Sequence, residues 1–201
     1  MALVKYNNNS IANITTAGQL AQGKMTLISS QTASGSASIE FTSGIDSTYP
    51  IYRFEFINIH PATDGVTFQV NFRDGGSLFD ATKTTTSFFT YHNENDTVTS
   101  LSYDTGEDLA QSTGKQTIST SLGNDADQDL CGTLQLFSPS STTFVKHFIT
   151  DTNMYSNSNF SVRYFIAGYC NTTNAIDGVQ FAMSSGNIDS GTIKLYGIKG
   201  D

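Results

Sequence analysis

The feature that most constrains this chain is a period of two. In Val66-Thr67-Phe68-Gln69-Val70-Asn71-Phe72-Arg73 every second residue is apolar. Successive side chains of a strand point to opposite faces, so Val66, Phe68, Val70 and Phe72 share one face and Thr67, Gln69, Asn71 and Arg73 the other. One dry face and one wet face mark a strand of an antiparallel sheet. Tyr52-Arg53-Phe54-Glu55-Phe56 alternates in the same way. The link between the two runs ends in the turn dipeptide Asp64-Gly65, so they are expected to form an antiparallel pair.

The same pattern predicts strands near Thr26–Ser30, Ala37–Thr42, Thr86–Tyr91, Thr117–Leu122, Gly132–Phe137, Thr143–Ile149, Ser161–Gly168, Gly178–Ser184 and Gly191–Ile198. Asp74-Gly75-Gly76, Ser138-Pro139-Ser140, Asp177-Gly178 and Ser185-Gly186-Asn187 punctuate them. No apolar i, i+3, i+4, i+7 pattern of useful length occurs, which argues against long helices. There is no repeat of fixed period, which argues against solenoids and propellers. About eleven short strands separated by turn signals predict an all-β fold, an antiparallel jelly-roll β-sandwich, with a closed barrel as the alternative.

Two stretches depart from the alternation. Residues 1–24, with Asn7-Asn8-Asn9-Ser10 and isolated aliphatics, are expected to form an extended N-terminal arm for docking. Residues 25–201 then form one sandwich domain, a size that suits a single large β unit. The stretch from His92 to Asp129 is acidic and is expected to be mostly loop, with one strand. At the other end, Ile193 and Leu195 should place the C-terminal strand in the core. Deleting from Gly191 should therefore unfold the chain, whereas deleting the arm should cost attachment and not folding.

Only 14% of the residues are charged, so the polar surface must be made largely of Ser, Thr, Asn and Gln. Acidic residues outnumber basic ones, 18 to 10, for a formal charge of −8. Nucleic-acid and anionic membrane surfaces attract clustered Lys and Arg; here these residues are scattered singly, so neither partner is expected. The start of the sequence lacks the apolar core of an export signal. Cys131 and Cys170 flank apolar runs and are expected to be free, buried thiols.

Catalytic and metal motifs are missing. His60, His92 and His147 are isolated, with no His-Glu-x-x-His spacing for zinc. No Gly-x-Ser-x-Gly elbow presents a nucleophile. Glu40 and Glu55 are the two strand-borne glutamates; Glu55 is expected on the wet face, opposite the core. Asp125-Ala126-Asp127-Gln128-Asp129 opens like a calcium loop, but Leu130 and Leu136 stand where that loop needs Gly and Glu. No catalytic residue, metal or cofactor is expected. There is no Trp; Tyr91, Tyr103, Tyr155 and Tyr169 lie near loops and are the candidate contacts for a partner or a glycan.

Several segments, taken together and in this order, resemble a known family. They are Gln31-Thr32-Ala33-Ser34, Ile39-Glu40-Phe41-Thr42-Ser43-Gly44-Ile45-Asp46-Ser47-Thr48-Tyr49, Tyr52-Arg53-Phe54 and Pro61-Ala62-Thr63-Asp64-Gly65. Nearer the end stand Ala175-Ile176-Asp177-Gly178-Val179-Gln180-Phe181 and Ser185-Gly186-Asn187-Ile188-Asp189-Ser190-Gly191-Thr192-Ile193-Lys194-Leu195-Tyr196-Gly197. The set resembles virion structural proteins of tailed, largely marine bacteriophages. The resemblance implies a non-enzymatic jelly roll on the particle, assembled in the host cytoplasm, as capsid decoration or a fibre-type appendage. It implies a homo-oligomer, a trimer by analogy with jelly rolls round threefold axes, bound to other virion proteins such as the major capsid protein. The alternative is a tail-fibre adhesin module that binds a host surface glycan.

Overall fold

The computed structural model describes residues 25–199, so the expected arm over residues 1–24 lies outside the described residues. Twelve strands follow one another: β1 (Met25–Thr32), β2 (Ile39–Phe41), β3 (Ile51–Pro61), β4 (Val66–Arg73), β5 (Lys83–Asn93), β6 (Thr99–Tyr103), β7 (Gln116–Leu122), β8 (Leu130–Phe137), β9 (Lys146–Tyr155), β10 (Phe160–Cys170), β11 (Gly178–Met183) and β12 (Ile188–Ile198). Among the described residues there is no helix, and hence none long and apolar enough to cross a membrane. The strands form two sheets, a large one in the order β1-β12-β3-β8-β9-β10-β5-β6 and a small one in the order β2-β11-β4-β7. Every pairing is antiparallel. The fold is an all-β sandwich. Its pairings nest: β1 with β12, β2 with β11, β3 with β8 and β4 with β7. The hairpin β9–β10 and the strands β5 and β6 extend the large sheet beyond this nest.

The alternation does what it predicts at the centre. Phe181 of β11 is surrounded by Phe41, Phe54, Phe56 and Phe68, with ring centroids 5.1–6.4 Å away. Ile193 and Leu195 are fully buried, so β12 is the core element that its sequence predicts. The expected pairing of the runs around Phe54 and Phe68 does not form. β3 lies between β12 and β8 in the large sheet, and β4 lies between β11 and β7 in the small one. The chain crosses the sandwich at Asp64-Gly65, so the two apolar faces meet across the core, with Phe56 and Phe68 5.4 Å apart edge to face.

Other boundaries move as well. The strand expected over Thr143–Ile149 starts only at Lys146 and runs on to Tyr155. Ser141 caps the turn before it by accepting the backbone N–H groups of Thr143 and Phe144. The acidic stretch holds two strands, β6 as well as β7. Both cysteines are free, but Cys131 is exposed on the outer face of β8, which corrects its expected burial; Cys170 is buried.

The segments that carried the family resemblance touch one another. Asp46 accepts the backbone N–H of Thr48 at 2.8 Å and the hydroxyl of Tyr52 at 3.0 Å. Tyr49 lies flat against Gly197, where any Cβ would sit 2.3 Å from its ring. Gly186, at φ +70°, closes the turn before β12 under the side chain of Thr63, where a Cβ would stand 2.3 Å from the hydroxyl. Asp177 accepts from Arg73 Nε at 2.7 Å, pinning the loop before β11 to the end of β4. These residues shape loops and the seam between sheets.

Candidate functional site

Two surfaces stand out, both on the part of the large sheet that extends past the nest. The first is its outer face. Register places Tyr103 of β6, Phe88 of β5, Phe165 of β10 and Asp151 of β9 in one row. Phe88 and Phe165 stack at 4.9 Å and 14°. The Arg163 guanidinium sits 4.2 Å from the Phe165 ring centroid and forks onto Asp151 at 2.8 and 2.7 Å. That hydrogen bonding holds the Asp151 carboxyl below its ordinary value. Leu101 lies in the next row, opposite Thr90. On the other side Ile149, Ala167, His147 and Tyr169 line a shallow apolar groove. Leu101 is 70% exposed, Tyr103 52%, Ile149 50% and Phe88 42%. Leucine and aromatic side chains presented together on one sheet face mark a contact surface better than scattered ones do.

The second surface is a cleft on the inner side. The small sheet ends at β7 and the large sheet continues, so part of the inner face of β5 and β10 has no sheet above it. Phe89, Tyr91, Phe160 and Tyr164 line the opening, with Ser121, Asn157 and Ser158 among its polar lining. Its volume is about 280 Å³. Phe89 stacks on Tyr164 at 5.3 Å and on Tyr91 at 5.9 Å, and Phe160 meets Tyr91 edge to face at 5.4 Å. The Tyr164 hydroxyl lies 2.6 Å from Thr120 Oγ1, and burial pushes its pKa up to about 12. It therefore remains a neutral phenol at neutral pH. Ser121 and Asn159 near the opening take left-handed backbone conformations at φ 58° and 63°, which non-glycine residues adopt at a cost. The lining contains no charged side chain.

The four candidate tyrosines therefore do not form one site. Tyr91 lines the inner cleft. Tyr103 is on the outer face, donating to Asp108 at 2.7 Å, and that carboxylate raises its pKa. Tyr169 walls the outer groove with its ring edge-on to His147. Tyr155 ends β9 in a separate polar groove with His92, Glu94, Asp129 and Cys131; the neighbouring Glu94 raises its pKa. Phe88, Leu101 and Phe165, the most telling members of the outer face, are not among the residues the sequence singled out. The signal for one of them was present: Thr99-Ser100-Leu101-Ser102-Tyr103 alternates, but within an acidic stretch and with its apolar side facing out.

Catalytic geometry does not assemble around the histidines. His60 Nδ1 is engaged by the Gln128 carbonyl at 2.7 Å and His92 Nε2 by Asp96 at 3.0 Å, while His147 packs on Tyr169. Glu40 binds Gln180 on the outer side of the small sheet, and Glu55 pairs with Arg53 on the outer side of the large sheet. The sandwich core separates them, so they cannot flank one bond as a glycosidase pair must. Among the described residues no group of three His, Cys, Asp or Glu side chains is placed to hold a metal ion.

No protein-family model matches the chain, and no curated protein matches it. Among solved structures, one similar chain is a protein of unknown function from Bacteroides ovatus. It shares 7% identity at a TM-score of 0.28, over 48% of this chain and 42% of that one. The matched part is less than half of that protein's length, and a likeness this slight bears on neither fold nor function.

Proposed function

We propose that this chain is a jelly-roll structural protein of a phage particle, without enzymatic activity, which packs against copies of itself and against other virion proteins such as the major capsid protein. The jelly-roll topology is supported by the nested pairings of β1 with β12, β2 with β11, β3 with β8 and β4 with β7, since two interlocked Greek keys wrap a chain in that way. The observation that carries the assembly role is the outer face of β9, β10, β5 and β6. Its leucine, isoleucine and phenylalanine side chains gain about 25 cal/mol for each Å² of apolar area that a neighbour removes from water. A second copy is the occupant proposed, with a trimer as the expected form. The residues that carry the resemblance shape turns and the seam between the sheets, which suits this role.

The experiment is sedimentation of the full chain and of Phe88→Asp/Leu101→Asp. Both positions are exposed, so the variant should still fold, at a cost of about 0.5–1.5 kcal/mol for the lost stacking of Phe88 on Phe165. It should sediment as a monomer and drop out of purified particles. Wild-type chain that is monomeric at high concentration, or variant chain that still joins the particle, overturns this role.

A second reading, a glycan-binding adhesin module of a tail fibre, is favoured by the aromatic cleft. Stacked rings with a neutral hydroxyl and amide rim suit a sugar ring better than a charged ligand. Tyr91→Ala should then abolish binding on a panel of neutral host glycans and leave sedimentation unchanged. A wild-type chain that binds none of them removes this reading.

A further inference from the structure

Lys83 and Asn71 form the most unusual contact in the molecule. Lys83 begins β5 in the large sheet, and Asn71 lies near the end of β4 in the small one. Lys83 is fully buried and Asn71 nearly so. A buried ammonium ordinarily sits beside a carboxylate, because an unpaired charge in a dry interior is costly. Here Lys83 Nζ contacts the side-chain carbonyl of Asn71 at 2.5 Å and the main-chain carbonyl of Ala81 at 2.7 Å. The groups that oppose the effect of burial on it are Cys170 on the paired strand, then Asp80 and Asp74 in the loop between the two strands, and these act on it only as charges at a distance.

We propose that Lys83 and Asn71 condense into an intramolecular isopeptide bond that staples the two sheets together. The neutral Nζ lone pair attacks Asn71 Cγ, and the carbonyl π pair moves onto Oδ1. The oxygen of that tetrahedral adduct already accepts the backbone N–H of Phe72 at 3.0 Å, a donor placed for the developing negative charge. As the oxygen pair returns, the Cγ–Nδ2 bond breaks and Nδ2 leaves as ammonia, taking the proton that Nζ gives up. One C–N bond forms and one breaks, and no oxidant or reductant is consumed. The remaining amide N–H keeps the Ala81 carbonyl as its acceptor. Nδ2 is held in place before the reaction by the Thr113 carbonyl at 3.1 Å.

Two further features fit. Burial pulls the Lys83 pKa down to about 8, so a useful fraction of the amine is unprotonated at neutral pH. The pair is also fixed on both sides by strand pairing, Asn71 opposite Gln180 and Lys83 opposite Cys170, so the reacting atoms are held together without a search. The product replaces a buried charge with a neutral amide that has partners for its polar atoms.

The test is intact mass spectrometry of the purified full chain, followed by tandem spectra of a tryptic digest. The expected mass is below that of the sequence by one ammonia. Trypsin should fail to cut after Lys83, and residues 54–73 should be recovered joined to residues 74–115. Lys83→Arg and Asn71→Ala should each return to the full sequence mass and melt at a lower temperature. Because the wild-type mass decides the matter, a variant that fails to fold does not blunt the test. A wild-type chain at full mass with a free 74–83 peptide overturns the proposal. So does an ammonia loss that maps to any other position.

Discussion

The two halves of the large sheet are built on the same backbone plan, but only one of them buries polar side chains among its apolar ones. In the nested half, the inner faces of β12, β3 and β8 carry Ile193, Leu195, Tyr52, Phe54, Phe56, Leu130, Leu134 and Leu136, all buried and all but Tyr52 without a polar atom. In the extending half, the inner faces of β9 and β5 bury Lys146, Thr150, Thr152, Lys83, Thr85 and Ser87 beside the apolar Phe148, Met154, Val162 and Ile166 of β9 and β10. The outer faces differ in the reverse sense. The nested half carries half-buried Arg53, Glu55 and Lys194 on its outer side with exposed Leu27 and Ile57, and the extending half shows Phe88, Leu101, Tyr103 and Ile149. The first half is a conventional core with a wet exterior. The second has a mixed interior, in which buried lysine, threonine and serine side chains interrupt the apolar ones, and an exterior that carries exposed aromatic and aliphatic side chains.

The largest test of this contrast by a single substitution is Phe181→Ala. Phe181 is fully buried where four other rings converge, so its removal leaves a cavity that a rigid sandwich closes poorly. We expect a loss of about 3–5 kcal/mol in denaturant unfolding, a large share of a domain's margin. Truncation before Gly191 goes further, since it removes Ile193 and Leu195 and unpairs both β1 and β3; that chain should not fold. A Phe181→Ala protein as stable as wild type would show that the nested half does not carry the fold.

The same contrast explains what was legible in the sequence. The strands of the nested half announce themselves because large apolar residues alternate with polar ones, as in Tyr52-Arg53-Phe54-Glu55-Phe56. β9 was readable only up to Ile149, because the first buried residues beyond that point are Thr150 and Thr152, which look like surface in a chain rich in threonine, and Met154 alone follows them. β6 was hidden for the opposite reason, since Leu101 and Tyr103 face outward and Ser100 and Ser102 face in. The crossing of β3 and β4 was also hidden, because a turn dipeptide announces a reversal without saying whether the next strand pairs or faces its predecessor. Of the surfaces, Tyr91, Tyr103 and Tyr169 were among the residues named in advance. The outer row could not, because membership in a row depends on register across four strands that are far apart in the chain.

A middle-sized effect is expected at Lys146. This side chain is fully buried on the inner face of β9, and the Thr172 carbonyl at 3.0 Å accepts from it. Burial lowers its pKa from 10.5, against the smaller opposing pull of Cys170 and Asp74. The folded chain therefore loses this proton before the unfolded chain does. The penalty of holding the charge is full at neutral pH and fades as pH rises through the folded value toward 10.5. Lys146→Met keeps the length and removes the charge, and should stabilise the fold by about 1 kcal/mol at neutral pH. The gap between the two proteins should narrow in urea titrations at rising pH. A gap that widens would mean that the ammonium is satisfied in the folded state.

The smallest effect is the sharpest, because one chemical change should have opposite signs at two neighbouring sites. Thr150 and Thr152 both face inward on β9, and both are buried. The Thr152 hydroxyl donates to the Ile118 carbonyl of β7 at 2.9 Å and so ties the two sheets together. The Thr150 hydroxyl has no partner among the described residues. Replacing threonine by valine exchanges that hydroxyl for a methyl of nearly the same size. At Thr150 the exchange removes a buried polar group that has nothing to bond, and should stabilise the fold by up to about 1 kcal/mol. At Thr152 it takes the donor from Ile118 and leaves a buried carbonyl unpaired, and should cost about 1 kcal/mol or slightly more. The two sites are in the same strand and on the same face, so strand propensity and methyl burial nearly cancel in the comparison. Thermal melts of the two variants and the wild type measure it directly. Equal shifts would mean that the hydroxyls of the extending half are interchangeable, and that its polar interior is not organised by specific bonds.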